Sequence, residues 1–213
     1  MMRVERVIQN QNQVHVRSYL VRPARYDDIP AIAELESIVF GSDAYSENRL
    51  YQLMSEACPG CGTPRCAASG ITNRIDPISR PSNCYAMYVA DTSEIIIGCS
   101  SAQVRIWNEF LSDYGIDPSD VHHLDLGGSS RIGYLKSIAV HPDYRRLGIG
   151  KRFHAARDAF LRDHNVRCVF LLQMPSPGLV DFHHSLGFQE ISASPSLEYL
   201  TGGRARLWYR SMA

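Results

Sequence analysis

The sequence carries no excess of either charge: 22 Lys plus Arg stand against 22 Asp plus Glu in 213 residues. No global field therefore draws the chain to nucleic acid or to an anionic membrane. The interleaving of basic and aromatic residues that marks many nucleic-acid binders is missing as well. No apolar run approaches the length of a bilayer-spanning helix. Residues 1–15 are polar and rich in Gln and Asn, without the apolar core of a signal peptide or anchor. The expectation is a polar N-terminal extension on a soluble, cytoplasmic chain, with neither nucleic acid nor membrane as partner. Internal repeats and low-complexity segments are also lacking.

What is present suits a packed core, since 45% of the residues are hydrophobic. The length fits one domain with insertions. Six cysteines in a chain without a secretion signal point to free thiols or a metal site before disulfides.

The most informative stretch runs from Ile132 to Arg152. An apolar, β-branched run up to Val140 is stopped by His141-Pro142-Asp143, as at a strand end. Arg145-x-x-Gly148-x-Gly150 follows, and then a helical pattern begins. Ile149, Phe153, Ala156 and Phe160 fall on one face of that helix; Lys151, His154, Asp158 and Arg162 fall on the other. The first amides of a helix lack intrahelical partners, and the macrodipole adds positive potential there. Glycines let the backbone approach a ligand, and Arg145, Arg146, Lys151 and Arg152 add charge. Such a loop suits a phosphate or pyrophosphate. It is not a dinucleotide fingerprint, which needs three glycines, nor a Walker loop, which needs Lys-Ser or Lys-Thr after its second glycine.

The remaining chain reads as alternating elements. Residues 16–22 form a strand, and Asp27 or Asp28 can cap a helix that buries Ile32, Leu35 and Val39 and ends at Gly41. A second helix runs from Ser46 to about Ala57 with Leu50, Leu53 and Met54 inward. Two antiparallel strands, Cys84–Ala90 and Ile95–Ile106, join through Asp91-Thr-Ser-Glu94. A short helix follows from Trp107. Residues 166–172 are almost continuously apolar, as in a strand covered on both faces, and complete a βαβ unit with strand 132–140 and helix 148–164. A helix over Pro177–Leu186, a strand from Phe188 and a last strand over Arg204–Met212 close the chain. In that last strand Ala205, Leu207 and Tyr209 alternate with Arg206, Trp208 and Arg210.

The strand, the His-Pro-Asp-Tyr lead-in and the Arg-x-x-Gly-x-Gly loop resemble motif A of the GCN5-related N-acetyltransferases (GNAT). Ser176-Pro-Gly-Leu-Val-Asp-Phe-His-His-Ser-Leu-Gly-Phe188 is similar to the second signature of that family, an Asn-Pro-x-Ala helix ending in Leu-Gly-Phe. The opening Val21-Arg-Pro-Ala-Arg-Tyr-Asp-Asp-Ile-Pro-Ala-Ile also resembles the family's first strand and helix. The resemblance implies an α/β fold of GNAT type: a mixed, mostly antiparallel central sheet, a βαβ coenzyme A-binding unit and flanking helices. On this reading residues 16–213 form a single domain with insertions at about 58–83 and 108–131.

The function so implied is transfer of an acetyl group from acetyl-coenzyme A, the cosubstrate, to a primary amine by direct attack in a ternary complex. The amine is a small molecule, a protein N-terminus or a lysine, and the chain is a monomer or a homodimer. The cofactor would be held by the backbone of Ile138, Ala139 and Val140, the loop Arg145, Arg146, Leu147, Gly148, Ile149, Gly150 and Lys151, and by Ser176 and His183. The sequence departs from the family in three places. Ser176 stands for a common Asn, His183 for a common Tyr that protonates the leaving thiolate, and Lys136 near a Glu used by some members as base. An imidazolium suits the thiolate-donor role. Glu36 and Tyr134 are candidate catalytic residues, with His122, His123 and Asp125 further candidates for the base. An acyl-coenzyme A-binding module that keeps the fold without turnover is the alternative. Cys58, Cys61 and Cys66 have the beginnings of zinc-knuckle spacing, which Cys84 or a distant His would have to complete. The expectation is no bound metal.

Overall fold

A computed structural model describes residues 4–5, 18–55, 84–126, 128–173, 177–191 and 206–212. The chain separates into two compact units, Met1–Ala102 with Ser137–Phe160, and Gln103–Lys136 with Leu161–Ala213. The long strands β4 (Ile96–Ile106) and β5 (Arg131–Val140) contribute to both. No helix among the described residues is long and apolar enough to cross a membrane.

In the first unit the strands follow the order β1 (Val4–Glu5), β2 (Ser18–Pro23), β3 (Cys84–Asp91), β4 and the end of β5. β2 pairs antiparallel with β3 from Leu20↔Asp91 to Pro23↔Tyr88. The β3–β4 turn closes as its residues predict: Ser93 N donates to Asp91 Oδ1 at 2.7 Å, and Thr92 N donates to Ile95 O at 3.1 Å. α1 (Ile29–Phe40) and α2 (Glu47–Ser55) lay Ile29, Ile32, Leu35, Leu50, Leu53 and Met54 on Tyr85, Met87, Val89, Cys99 and Ala139. Gly41, at φ 60, ends α1 in a conformation that suits glycine.

Asp28 sits at the N-cap of α1, yet its carboxylate makes no cap bond to the helix. It accepts instead from Arg22 at 2.7 and 2.8 Å and from the Arg25 amide at 2.6 Å. Arg22 Nε also donates to Asp91 at 2.8 Å, so one guanidinium ties β2 to the turn before α1 and to the β3–β4 hairpin. Burial opposes the charge of Asp28, but Arg22 and the Arg25 amide win and hold its carboxyl below the usual range.

α5 (Ile149–Asp163) places Ile149 and Phe153 against Tyr19, Ala90, Ile97 and Tyr144. Full burial of a ring such as Phe153 is worth about 1.5–3 kcal/mol. The helix is not amphipathic in the simple way its pattern predicts. His154 (2% exposed) and Asp158 (9%), expected on its open face, are buried, and so is Arg157, which donates to Ser137 O at 3.4 Å.

In the second unit the order is β4, β5, β6 (Cys168–Gln173), β8 (Arg206–Ser211) and β7 (Gln189–Ile191). β5 and β6 are parallel, with Gly133↔Val169, Tyr134↔Phe170 and Leu135↔Leu171; β8 pairs antiparallel with both β6 and β7. Gly133 lies inside a strand because a Cβ there would come within 2.6 Å of the Leu161 side chain. The region around 108–131 contains α3 (Trp107–Asp113) and a short α4 (Pro118–Val121), started by Asp117, whose carboxylate accepts from Ser119 N. α4 went unforeseen, being a single capped turn without periodicity. Phe110 of α3 packs 5.3 Å from the Tyr134 ring and 5.7 Å from that of Phe170.

α6 (Pro177–His184) ends on Gly187 at φ 81, with Phe188 N returning to His183 O at 3.1 Å. β8 departs from its expected alternation: Leu207, Trp208 and Tyr209 are all buried, because both faces of this strand are covered.

Candidate functional site

In the first unit, β5 leaves its ladder carrying two faces. Ala139 joins the cluster under α1 and α2, whereas Ile138 and Val140 pack beside Ile149 and Phe153 of α5. His141 N is held by Ile97 O at 3.0 Å, and a one-turn helix at Pro142–Tyr144 buries the Tyr144 ring. Arg145 Nε then reaches back to Val140 O at 3.2 Å, closing the loop onto the strand it left. Tyr19 OH donates to Leu147 O at 3.1 Å and fixes the loop from β2, while Arg152 lies 5.7 Å from the centre of the Tyr19 ring. Two residues of the loop have left-handed backbone, Arg146 at φ 66 and Gly148 at φ 80. Among the described residues, a Cβ at Gly148 would meet nothing within 4 Å, so the space above that backbone is open.

These residues therefore divide by role. Ile149 is a buried anchor, while Arg145, Arg146 and Lys151 are exposed around the first turn of a helix. Free helix amides, an open glycine backbone and three cationic side chains can hold a pyrophosphate.

Behind the strand lies Glu36, 1% exposed. Its Oε2 accepts from Tyr45 N at 3.1 Å, and its Oε1 accepts from the Cys99 thiol at 3.8 Å. The Ser137 hydroxyl is a third partner, and Ser137 is joined to Ser101 at 3.2 Å. Burial pushes the Glu36 carboxyl above its ordinary range, against the pull of the Tyr45 amide, Ser137 and Cys99. Burial and the facing Glu36 push the Cys99 thiol well up too. One carboxyl thus ties α1 to the 41–46 connection and to β4 and β5. Sequence reasoning singled out Glu36 but not its partners Ser137, Cys99 and Tyr45; the available signal was an acid at a helical position beside Ile32, Leu35 and Val39.

In the second unit His183 is 4% exposed on α6, with ring centres 5.5 Å from Phe182, 5.6 Å from Phe188 and 6.1 Å from Trp208. His184 is exposed and meets the Trp208 ring edge-on at 5.1 Å. Tyr134 is buried in the aromatic core and is hydrogen-bonded to Tyr114. His122 and His123 are exposed, and the Asp125 carbonyl accepts from Tyr209 OH at 2.6 Å. Ser176, residues 1–3 and 6–15, and Cys58, Cys61 and Cys66 with residues 58–83 lie outside the described residues. Cys84, Cys99 and Cys168 are buried, and no disulfide joins them to one another. Among the described residues no group of three or more His, Cys, Asp or Glu could hold a metal ion.

Comparison with known proteins agrees with this geometry. No curated protein matches the chain significantly. Among solved structures, the ribosomal-protein-S18-alanine N-acetyltransferase of Escherichia coli superposes with a TM-score of 0.55 at 16% identity, covering 92% of this chain and 94% of that one. Ard1 from Thermoplasma volcanium gives 0.57 at 14% identity, covering 92% and 98%. Arabidopsis thaliana NAA60 in complex with acetyl-CoA gives 0.58 at 15%, covering 91% and 98%. At these identities the likeness is one of fold. The profile of the acetyltransferase (GNAT) family matches residues 48–188, which include both the Arg145–Lys151 loop and the Leu186-Gly187-Phe188 turn. The chain belongs to the acetyltransferase (GNAT) family, whose acyl donor is acetyl-coenzyme A.

Proposed function

We propose that the protein moves an acetyl group from acetyl-coenzyme A to a primary amine, on a small molecule or at a protein N-terminus or lysine, by direct attack in a ternary complex. The observation that carries this reading is the β5–loop–α5 cradle, with Gly148 open to a ligand and Arg145, Arg146 and Lys151 exposed around the helix start. Acetyl-coenzyme A supplies an activated acyl group; the chain must hold it, accept a proton from the amine and donate one to the departing sulfur. The cradle takes the pyrophosphate, and the backbone of Ile138, Ala139 and Val140 takes the arm that follows. One of those amides serves the charge that develops on the acyl oxygen. His183 donates to the sulfur.

Of the two expected proton acceptors we favour Glu36, acting through water. Its raised proton affinity suits a base, while Tyr134 is tied to Tyr114 within an aromatic core.

The test is thiol release from acetyl-coenzyme A with a panel of amines and peptides. Amine-dependent release is expected, and Glu36→Gln should lower it by about 10²-fold, the low end for a lost general base. Binding of coenzyme A without release on any amine would instead support the non-catalytic acyl-coenzyme A module.

A further inference from the structure

The face of β6 and β8 that α6 covers holds polar groups with no hydrogen-bond partner among the described residues. Residues directly opposite in an antiparallel pair share a face, and so do alternate residues of one strand. The registers Leu171↔Trp208 and Gln173↔Arg206 therefore put these four residues on one side. It is the α6 side, because the His184 and His183 rings lie 5.1 and 6.1 Å from Trp208. Phe170, Leu207 and Tyr209 point the other way, into the aromatic core.

Gln173 is 7% exposed, and neither its Oε1 nor its Nε2 has a hydrogen-bond partner among the described residues. The indole N–H of Trp208, 1% exposed on the same face, also lacks one. A buried carboxamide brings two donors and an acceptor into the interior, and leaving all of them unmet is costly. Packing alone would favour an apolar side chain here, since β6 otherwise reads Cys168-Val-Phe-Leu-Leu172. The position is also distinct. The last β5–β6 pair is Leu135↔Leu171, so Gln173 lies two residues past the end of that ladder and is paired with β8.

We propose that Gln173 recognises a secondary amide of a bound substrate, its Nε2–H donating to the substrate carbonyl and its Oε1 accepting the substrate N–H. Trp208 Nε1–H is a second donor on that face. A secondary amide has one donor and one acceptor, the complement of what Gln173 offers. The inference rests on the acetyl-transfer reading, and two participants in that reaction carry such amides. One is the pantetheine arm of acetyl-coenzyme A; the other is an acceptor whose amine is followed by a peptide bond.

Gln173→Met keeps the volume and removes both polar atoms, so the thermal midpoint should equal or exceed that of the wild type. Calorimetry on the full chain then compares coenzyme A with adenosine 3′,5′-bisphosphate, which has phosphates and adenine but no amide. If the amide is the cofactor's, coenzyme A binds about tenfold more weakly and the bisphosphate is unchanged. If it is the acceptor's, coenzyme A binding is unchanged, and the kcat/KM preference for an amino-acid amide over a simple alkylamine falls about tenfold. Trp208→Phe should move the same readout in the same direction by less. A Gln173→Met variant that matches the wild type in both arms, or whose midpoint drops together with binding, overturns the proposal. A wild-type chain that fails to bind coenzyme A overturns the underlying reading, and that failure is visible before any variant is made.

Discussion

The cradle of the first unit and the candidate residues of the second are presented in opposite ways. In the cradle, Arg145, Arg146, Gly148 and Lys151 are exposed, and the groups proposed to face the ligand are main-chain amides at a helix start and a left-handed glycine. In the second, Gln173, His183 and Trp208 are side chains with less than a tenth of their surface open. The chemistry of the two tasks accounts for the contrast. A pyrophosphate keeps its charge and is held well at an open surface by dipoles and cations. A neutral amide, or a proton passed to a thiolate, gains from a dry environment in which few fixed groups count for more. Substitutions in the cradle should therefore be read in affinity, and those at Glu36 and His183 in turnover.

The contrast is sharpest at the two adjacent histidines. If His183 is the proton donor, His183→Ala should lower kcat by about 10²–10⁴-fold with little change in coenzyme A affinity. His184, exposed against the edge of Trp208, is the control, and its alanine variant should stay near the wild type. His183→Tyr should restore part of the loss. Steady-state kinetics on the three variants decides it; equal, near wild-type rates for both alanine variants would give the donor role to water or to another side chain.

Next in size is the cradle. Gly148→Val places a branched side chain at φ 80 and fills the open space above the backbone. Coenzyme A affinity measured by calorimetry should fall about 10²-fold, from the loss of charge-assisted hydrogen bonds worth about 1.5–3 kcal/mol each. Circular dichroism should remain that of the wild type. Unchanged affinity would remove the loop from the site and break the division between the units.

This same contrast explains what was legible in the sequence. The cradle could be read because glycine, arginine and a strand-to-helix switch in hydrophobic period are local signals, all within Ile132–Arg152. So could the order of strands and helices, including the continuously apolar β6. Trp208 was placed on a polar face because alternation describes one strand and not the helix that covers it. His154 and Asp158 went astray on α5 for the same reason. The partners of Glu36 come from Tyr45, Cys99 and Ser137, and no local pattern links a residue to others 9, 63 and about 100 positions away. Gln173 gave no signal either, since what sets it apart is that its carboxamide has no partner among the described residues.

Glu36 tests whether the buried polar group of the first unit belongs to the fold as well as to the chemistry. Glu36→Ala removes a side chain that is 1% exposed and leaves the Tyr45 amide without its partner. Cavity and lost hydrogen bonds together should cost about 2–4 kcal/mol in urea unfolding. Gln173→Met, its counterpart in the second unit, should cost nothing. Equal losses at the two positions would show that partner accounting does not distinguish a structural group from one that serves a ligand.

The smallest effect expected is in the pH dependence of stability, and its sign is fixed by the direction in which burial moves Glu36. Its proton affinity is higher in the folded chain than in the unfolded one. Between the two pKa values the folded state therefore holds more protons, and its stability falls as pH rises. Below the ordinary glutamate range both states are protonated and the term vanishes. Above the raised folded value both are ionised and the full penalty is present. Glu36→Gln keeps the shape and cannot ionise, so the stability of the variant relative to the wild type should rise with pH through that window. The slope can be at most about 1.4 kcal/mol per pH unit, the value for one proton. Urea unfolding of both proteins from pH 4 to 8 measures it. A difference that stays flat across that range would mean that Glu36 ionises in the folded chain as readily as in water, and would leave it without the raised proton affinity that its role as base requires.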